Sequence, residues 1–228
     1  MGSDKYHTIL RAIDPSLRFR HEVYAETVQN MLVPRTRWLD VGCGNNAIVA
    51  GYGGTCDLAV GLDIVNHPDL RNGLFVQADL QYVPLPDELA DLVTLRLVVE
   101  HMDRIPEEFS DIERVLKRGG RLIILTPNLL SPIVFIAKAM PFKMKKWIIK
   151  KVFRVEEHDI FPALHHFNTP RKMRRDIGSL KLTDLTLIEQ TSLVNPVLFC
   201  IFLLAVLLTN NELLKCVRSN ILATFEKA

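Results

Sequence analysis

The stretch Trp38-Leu-Asp-Val-Gly-Cys-Gly-Asn-Asn46 decides the fold. It opens on an apolar run, Trp38 to Val41, which predicts a strand, and a helix is expected to follow over Ala47 to Ala50. Gly42 and Gly44 allow the backbone to turn sharply and to approach a ligand more closely than a side chain would permit. A turn that only packs against its neighbours is the alternative, because one glycine loop is weak evidence.

Short apolar runs alternate with helical or loop segments along the rest of the chain. Residues 16–33 have apolar positions at near-helical spacing, which predicts a helix that stops before Pro34. Further helices are predicted over 106–117, ending near Gly119-Gly120, and from Asn168-Thr169-Pro170 onward. The predicted strands are Trp38–Val41, Leu58–Asp63, Leu74–Gln77, Leu92–Leu95, Leu122–Thr126, Leu182–Glu189 and Asn220–Glu226. This alternation favours an α/β fold: a doubly wound, mostly parallel, seven-stranded Rossmann-like sheet with helical, apolar insertions after strands 5 and 6.

Two acidic side chains stand at the ends of the next two predicted strands. Asp63 follows the glycine loop by about 20 residues, a position where a carboxylate can accept hydrogen bonds from both hydroxyls of a ribose. Asp79 can accept from the exocyclic amino group of an adenine while Leu80 packs on the ring. A solvated loop aspartate is the alternative for Asp79. The order of these features predicts a nucleoside-containing ligand.

In this combination the sequence resembles the class I S-adenosylmethionine-dependent methyltransferases, in particular their small bacterial-type members. The resemblance covers roughly residues 20–190 and depends on the glycine loop, Asp63, Asp79 and two longer segments. These segments are Asp91-Leu-Val-Thr-Leu-Arg-Leu-Val-Val-Glu-His101 and Arg114-Val-Leu-Lys-Arg-Gly-Gly-Arg-Leu-Ile-Ile-Leu-Thr-Pro-Asn128. Each motif is degenerate, whereas the combination is specific.

The resemblance implies S-adenosyl-L-methionine as the cofactor. In such families the glycine loop holds the methionine part, the Asp63 position binds ribose, the Asp79 position binds adenine, and the segment near Arg96 and Leu97 lines the methyl donor. The implied cofactor contacts are Asp40, Gly42, Cys43, Gly44, Asn46, Asp63, Ile64, Asp79, Leu80, Arg96 and Leu97. The loop departs from the commoner G-x-G-x-G pattern, because Asn46 replaces the last glycine. Asn tolerates unusual backbone angles, so we expect cofactor binding to survive.

A nicotinamide-dependent oxidoreductase is the nearest competitor on fold grounds. Its G-x-G-x-x-G fingerprint would place Ala47 at the last position, which some variants accept. Glu100-His101 and the basic, glycine-containing run over 114–120 have no role in hydride transfer. The methyltransferase hypothesis therefore fits more of the chain.

Two long excursions leave the carboxyl edge of the predicted sheet, where open α/β sheets bind ligands. We expect a single domain over 1–228, with a helical lead-in at 1–34, a cofactor-binding core at 35–127 and substrate-side excursions at 128–168 and 190–219. Both excursions are positioned to shape the acceptor site.

The excursions are unusually apolar and basic. Between Lys138 and Arg154 lie seven basic residues and no acidic one, interleaved with aromatic and aliphatic residues, which is typical of membrane-surface helices. Val197–Leu208 is an unbroken apolar run of twelve residues, shorter than a bilayer span requires. We therefore expect peripheral membrane contact through 129–154 and 193–208, and a small lipophilic or membrane-anchored acceptor that is isoprenoid-linked, quinone-like or a lipid.

Other interpretations of these segments remain open. The apolar run Val197–Leu208 also fits a core helix, a helix that covers an apolar pocket, or a homodimer interface. The basic run from Lys138 to Arg154 also fits a solvated face. Nucleic acid is not expected as a partner, because no aromatic stacking platform accompanies the basic residues.

Composition restricts the remaining possibilities. The net charge is only +2, so any functional charge must be local. The four cysteines form no C-x-x-C pair, and His158, Asp159, His165 and His166 have no metal-motif spacing, so no metal site is predicted. The charged N-terminal residues lack the apolar core of a secretory signal, so we expect a cytoplasmic protein, peripheral on the inner face of the membrane.

Methyl transfer from a sulfonium is an in-line displacement, so positioning and exclusion of water account for much of the catalysis. A base is needed only where the acceptor must lose a proton. His101, His165 and His166 are the candidate bases, since imidazole titrates near neutral pH. Glu100 and His101 can instead serve only to fix their loop. A non-catalytic S-adenosylmethionine-binding regulatory or assembly protein is the alternative function.

Overall fold

The computed structural model describes residues 8–12, 18–152, 161–175, 177–189 and 196–228. In this part of the chain seven strands form one sheet in the order β3-β2-β1-β4-β5-β7-β6. The strands are β1 (Arg37–Val41), β2 (Leu58–Asp63), β3 (Leu74–Gln77), β4 (Ala90–Arg96), β5 (Leu116–Pro127), β6 (Leu180–Ile188) and β7 (Asn220–Lys227). The first five are parallel, and β7 runs antiparallel to both β5 and β6. The predicted fold class is confirmed.

Helices cover both faces of this sheet. They are α1 (Arg20–Gln29), α2 (Ala47–Tyr52), α3 (Ile105–Val115), α4 (Pro132–Ala139), α5 (Phe142–Val152), α6 (Pro170–Met173) and α7 (Pro196–Thr209). Trp38 belongs to a buried cluster with Val28 of α1, whereas the next residue, Leu39, belongs to a second cluster with Phe109 of α3. The central strands therefore bury both faces, which explains their continuous apolar runs.

The junction between α3 and β5 differs from the prediction. The helix was expected to continue to residue 117 and to end near Gly119-Gly120, but it ends at Val115 and Leu116 already begins the strand. Leu116 pairs with Ala90 of β4 ahead of a register shift, and Gly119 takes a φ of 73° within this irregular stretch. Pairing with β4 outweighs the local helical pattern here, and the glycines provide a bend inside a strand.

The excursion after β5 is helical, as predicted. It contains α4 and α5, while residues 153–160 lie outside the described part of the chain. The helix predicted from Asn168-Thr169-Pro170 begins there, since the Thr169 side chain accepts a hydrogen bond from the Lys172 N–H. It comprises only the four residues of α6.

The excursion after β6 contains α7, and residues 190–195 of the predicted segment lie outside the described part of the chain. Phe199 on one side of α7 packs with Leu10 and Phe19. The opposite side exposes an apolar stripe at helical spacing: Val197, Ile201, Leu204 and Leu208. Among the described residues no helix is long and apolar enough to cross a bilayer.

Candidate active site

A cavity of about 450 Å³ opens at the carboxyl edge of the sheet, beyond the ends of β1, β2, β3 and β4. This is the edge at which open α/β sheets bind ligands. The predicted cofactor residues that line it are Gly42, Gly44, Asp63, Ile64, Asp79, Leu80 and Leu97. The cavity thus collects side chains and backbone from the ends of four strands.

The loop between β1 and α2 forms one wall and lies close to β2. The N–H groups of Gly42 and Cys43 both donate to the carbonyl of Leu62, at 2.7 and 3.1 Å. A Cβ atom at Gly42 would lie 2.2 Å from Val98 Cγ2, whereas a Cβ at Gly44 would meet nothing within 4 Å. Both glycines have positive φ, 69° and 57°. Gly42 is therefore required by packing, and Gly44 leaves backbone accessible from the cavity.

Asp63 connects the end of β2 to the glycine loop. Its Oδ2 accepts from the Gly44 N–H at 2.8 Å, and its Oδ1 accepts from the Val65 N–H at 2.9 Å. These two bonds fix the half-buried carboxylate in the cavity wall. Each carboxylate oxygen has a second lone pair, so Asp63 can still accept from two ligand hydroxyls.

Asp79 lies at the exposed rim of the cavity, after β3. Its Oδ1 accepts from the Gln81 N–H at 2.9 Å and caps the 3-10 turn Leu80–Tyr82. This turn positions Leu80 in the lining beside the carboxylate. Asp79 and Leu80 therefore lie side by side, so that the carboxylate could accept from the edge of an adenine while Leu80 packs on its face.

Leu97 follows β4 and has a φ of 61°, a left-handed conformation that is strained for a residue with a Cβ. Its N–H donates to the carbonyl of Leu125 in β5 at 2.8 Å, which holds the backbone in this conformation. Strain of this kind concentrates at ligand sites. Leu97 lies in the cavity lining.

Four predicted cofactor residues lie outside the cavity lining. Asp40 is 2% exposed, its Oδ1 accepts from Thr94 Oγ1 at 2.6 Å, and burial raises its pKa to about 6. Cys43 is also buried, and burial raises the pKa of its thiol to about 12. Asn46 is fully buried at the start of α2 with a φ of 62°, and Arg96 is exposed at the end of β4. Asp40, Cys43 and Asn46 are buried beneath the surface of the cavity wall. Contact of any of the four residues with a cofactor stays a prediction.

Residues 39–124 match the family described as a methyltransferase domain. The ubiquinone/menaquinone biosynthesis C-methyltransferase of Cellvibrio japonicus is 33% identical over 86 residues, which is 37% of this chain and 34% of that protein. The chain thus spans about a third of the length of this curated relative.

Solved structures share the fold over most of the chain. Geranyl diphosphate C-methyltransferase from Streptomyces coelicolor A3(2) has a TM-score of 0.59 at 14% identity, covering 90% of this chain and 77% of that one. The N-methyltransferase NodS from Bradyrhizobium japonicum, solved with S-adenosyl-L-homocysteine, has a TM-score of 0.53 at 13% identity, covering 99% and 98%. The chain therefore shares the class I fold of these structures, and its residues 39–124 are similar to the methyltransferase domain family.

The three histidines predicted as bases take different positions relative to the cavity. His101 lines the cavity, its Nδ1 lies 2.8 Å from the Pro162 carbonyl oxygen, and burial lowers its pKa. His165 is buried outside the lining, and burial lowers its pKa to about 4. His166 is exposed, and its Nε2 lies 3.6 Å from Asp103 Oδ1. The structure therefore separates His101, at the cavity, from the other two.

A buried polar network behind His101 was not predicted as a unit. The Oε2 atom of Glu100 accepts from Thr126 Oγ1 at 3.0 Å, and Thr126 in turn accepts from the Asn168 side chain. Burial raises the pKa of Glu100 to about 7, and the positive charge of Arg20 on α1 opposes this rise. Arg20 also donates to Asn220 at the start of β7 at 3.1 Å. These residues come from five segments, so only the topology brings them together.

The fold also places in the cavity lining residues that were not predicted from the sequence. His67, Glu108 and Phe161 line it from three separate segments. The ring of Phe161 lies edge-on to His101, with ring centroids 5.9 Å apart. Neither spacing nor periodicity marks these positions. Among the described residues no group of three or more histidine, cysteine or acidic side chains is arranged to hold a metal ion, and His158 and Asp159 lie outside that part of the chain.

Proposed function

We propose that this chain transfers a methyl group from S-adenosyl-L-methionine to a small lipophilic acceptor taken from a membrane surface. The observation that carries the proposal is the convergence of Gly44, Asp63, Asp79 and His101 on one cavity at the carboxyl edge of the sheet. The match to the methyltransferase family over residues 39–124 supports the same chemistry.

The residues in the cavity fit this cofactor part by part. The backbone of Gly42 and Gly44 would hold the methionine part, and Asp63 would accept from the ribose hydroxyls. Asp79 and Leu80 would hold the adenine by its amino group and its face. When bound, the cofactor supplies an electrophilic methyl group on a sulfonium. The protein contributes position and a site from which water is excluded.

His101 can remove a proton from the acceptor. A neutral imidazole has one N–H and one acceptor nitrogen, and a carbonyl oxygen only accepts. Because Nδ1 lies 2.8 Å from the Pro162 carbonyl, we assign the proton to Nδ1 and the free lone pair to Nε2. Burial, and to a smaller extent the charge of Lys145, lower the pKa of His101, so the imidazole is neutral at pH 7. His101 is therefore the base we propose, acting at Nε2.

Surface chemistry beyond the cavity supports a lipophilic acceptor and a membrane as its source. Apolar side chains on α4 and α5 are exposed, including Phe135 at 62% and Trp147 at 59%. Lysines of α5 interleave with its apolar side chains, and α7 separately exposes its own apolar stripe. Apolar side chains beside excess positive charge match an anionic bilayer surface. The quinone pathway named for the curated relatives is consistent with such an acceptor.

The test is methyl transfer to material extracted from membranes. Purified protein, lipid extract and donor carrying an isotopically labelled methyl group are incubated together, and labelled products are sought by mass spectrometry. We expect one lipid-soluble labelled species, absent when Asp63→Ala replaces the wild type. S-adenosyl-L-homocysteine binding without any labelled product would favour the non-catalytic alternative, and absence of binding would contradict both functions.

A further inference from the structure

Two lysines on the first excursion act electrostatically on His165, which is buried outside the cavity lining. Lys138 stands in the last turn of α4, and Lys145 lies on α5. Burial is the main cause that lowers the pKa of His165, and the charges of Lys138, Lys145 and His101 follow. The same Lys145 lowers the pKa of His101, which lines the cofactor cavity. The cationic cluster and the cavity are therefore neighbours.

The two lysines of this cluster form no ion pair with any described residue, although Lys145 is half-buried. Burial and Lys138 both lower the pKa of Lys145, so its ammonium group lies in an unfavourable environment. Placing like charges together at a partly desolvated position costs free energy unless an anion offsets it.

His165 provides an independent observation at the same place. His165 is 8% exposed, and its Nδ1 has no hydrogen-bond partner among the described residues. Its backbone is fixed, since its N–H donates to the Glu100 carbonyl at 3.0 Å and its φ is 56°. A buried ring nitrogen without a partner is unfavourable, so a hydrogen bond from this nitrogen to a ligand oxygen would stabilise the complex.

We propose that Lys138, Lys145 and His165 form a subsite for a phosphate-type oxyanion carried by the methyl acceptor. The inference rests on the proposed function, which it narrows to acceptors that join an anionic group to an apolar body. The two ammonium groups donate to the oxyanion, and His165 donates from Nδ1. Because His101 belongs to both the cluster and the cavity, an acceptor held here by its anionic end has its reactive part beside the donor.

Inorganic pyrophosphate is the probe for this subsite. Its binding to the full chain is measured by calorimetry in the presence of S-adenosyl-L-homocysteine, for the wild type and for the double variant Lys138→Gln/Lys145→Gln. Lys143→Gln is the matched control, an exposed lysine on the same helix as Lys145. We expect the double variant to bind at least tenfold more weakly and the control to remain within twofold of the wild type. Equal affinity in all three proteins, or no binding at millimolar pyrophosphate, would overturn the subsite.

The imidazole of His165 gives a second readout. A bound anion stabilises the protonated ring, so pyrophosphate should raise the pKa of His165, followed by NMR of the ring protons. The Lys143→Gln protein should show the same rise. A His165 titration unaffected by saturating pyrophosphate would place the anion elsewhere and contradict the assignment.

Vesicle binding separates an anionic acceptor from a bilayer headgroup. The same variants are sedimented with vesicles of phosphatidylglycerol and of phosphatidylcholine. If the double substitution weakens binding to phosphatidylglycerol and leaves pyrophosphate binding unchanged, the lysines contact the bilayer and the subsite is refuted. If the protein binds pyrophosphate through the two lysines but transfers no methyl group, the proposed function alone is contradicted. If the protein transfers a methyl group but does not bind pyrophosphate, the subsite alone is contradicted.

Discussion

Replacement of Asp63 by Asn tests the cofactor assignment with almost no change in shape. The carboxylate accepts from two backbone N–H groups, of Gly44 and Val65. An amide has one oxygen, so one of these donors would face an NH₂ group, and the negative charge beside the ribose position is lost. Loss of a charged hydrogen bond costs about 1.5–3 kcal/mol. We therefore expect S-adenosyl-L-homocysteine to bind roughly 10- to 150-fold more weakly.

Isothermal calorimetry measures this affinity, and thermal unfolding reports whether the variant is folded. Asp69→Asn is the matched control, because Asp69 follows the same strand, is exposed and accepts from Asn45 at 2.9 Å outside the cavity. Its dissociation constant should stay within twofold of the wild type. A folded Asp63→Asn protein with unchanged affinity would show that the cofactor does not contact this carboxylate.

Three further predictions concern the base, the buried network and the apolar surface. His101→Gln should lower kcat by about 100-fold or more with little change in the KM for the methyl donor. Because only neutral imidazole accepts a proton, the kcat of the wild type should fall as the pH decreases through a value below 6.5. A kcat that does not change with pH would exclude His101 as the base. Burial raises the pKa of Glu100 from 4.5 to about 7 in the folded state. The difference in unfolding free energy between the wild type and Glu100→Gln, measured by urea unfolding, should therefore fall by about 3 kcal/mol between pH 4.5 and 7 and then level off. A difference that does not change with pH would contradict the raised pKa. The double variant Ile201→Gln/Leu208→Gln should bind phosphatidylglycerol vesicles at least tenfold more weakly than the wild type in sedimentation. The control Leu74→Gln, at an exposed position on β3, should bind like the wild type. If the double variant also binds like the wild type and the wild type is a dimer in solution, the stripe contacts a second copy of the chain.

Features governed by local chemistry could be predicted from the sequence. The glycine loop and Asp63 could be placed, because a strand, a tight turn and an acidic strand end are each determined by adjacent residues. The start of α6 at Thr169 and Pro170 was predictable for the same reason, since a cap and a proline act within one turn. The boundary at Leu116 was not, because pairing with another strand decides it.

The site was harder to predict where side-chain direction matters. Asp40 belongs to the glycine motif, but successive strand residues point to opposite faces, so Asp40 shares a face with Trp38. Both side chains meet Thr94, whose hydroxyl accepts from Trp38 Nε1 at 2.9 Å. Alternation along the strand therefore accounts for the position of Asp40 outside the cavity lining. The separation of His101 from His165 depends on how the excursion at 128–168 folds back onto the sheet. No local sequence pattern predicts this arrangement.

The position of β7 has a consequence for how this chain can diverge. Ile188, the last residue of β6, is the Cα partner of Asn220, the first residue of β7, so the 31 residues between them leave and re-enter the sheet at one point. A shorter or longer connection would close the same gap, and each doubling of a flexible connection costs only about 0.6 kcal/mol. The segment that includes α7 can therefore change in length and sequence without disturbing the pairing of β6 with β7. Diversity among close homologues of this chain is expected to concentrate between these two residues.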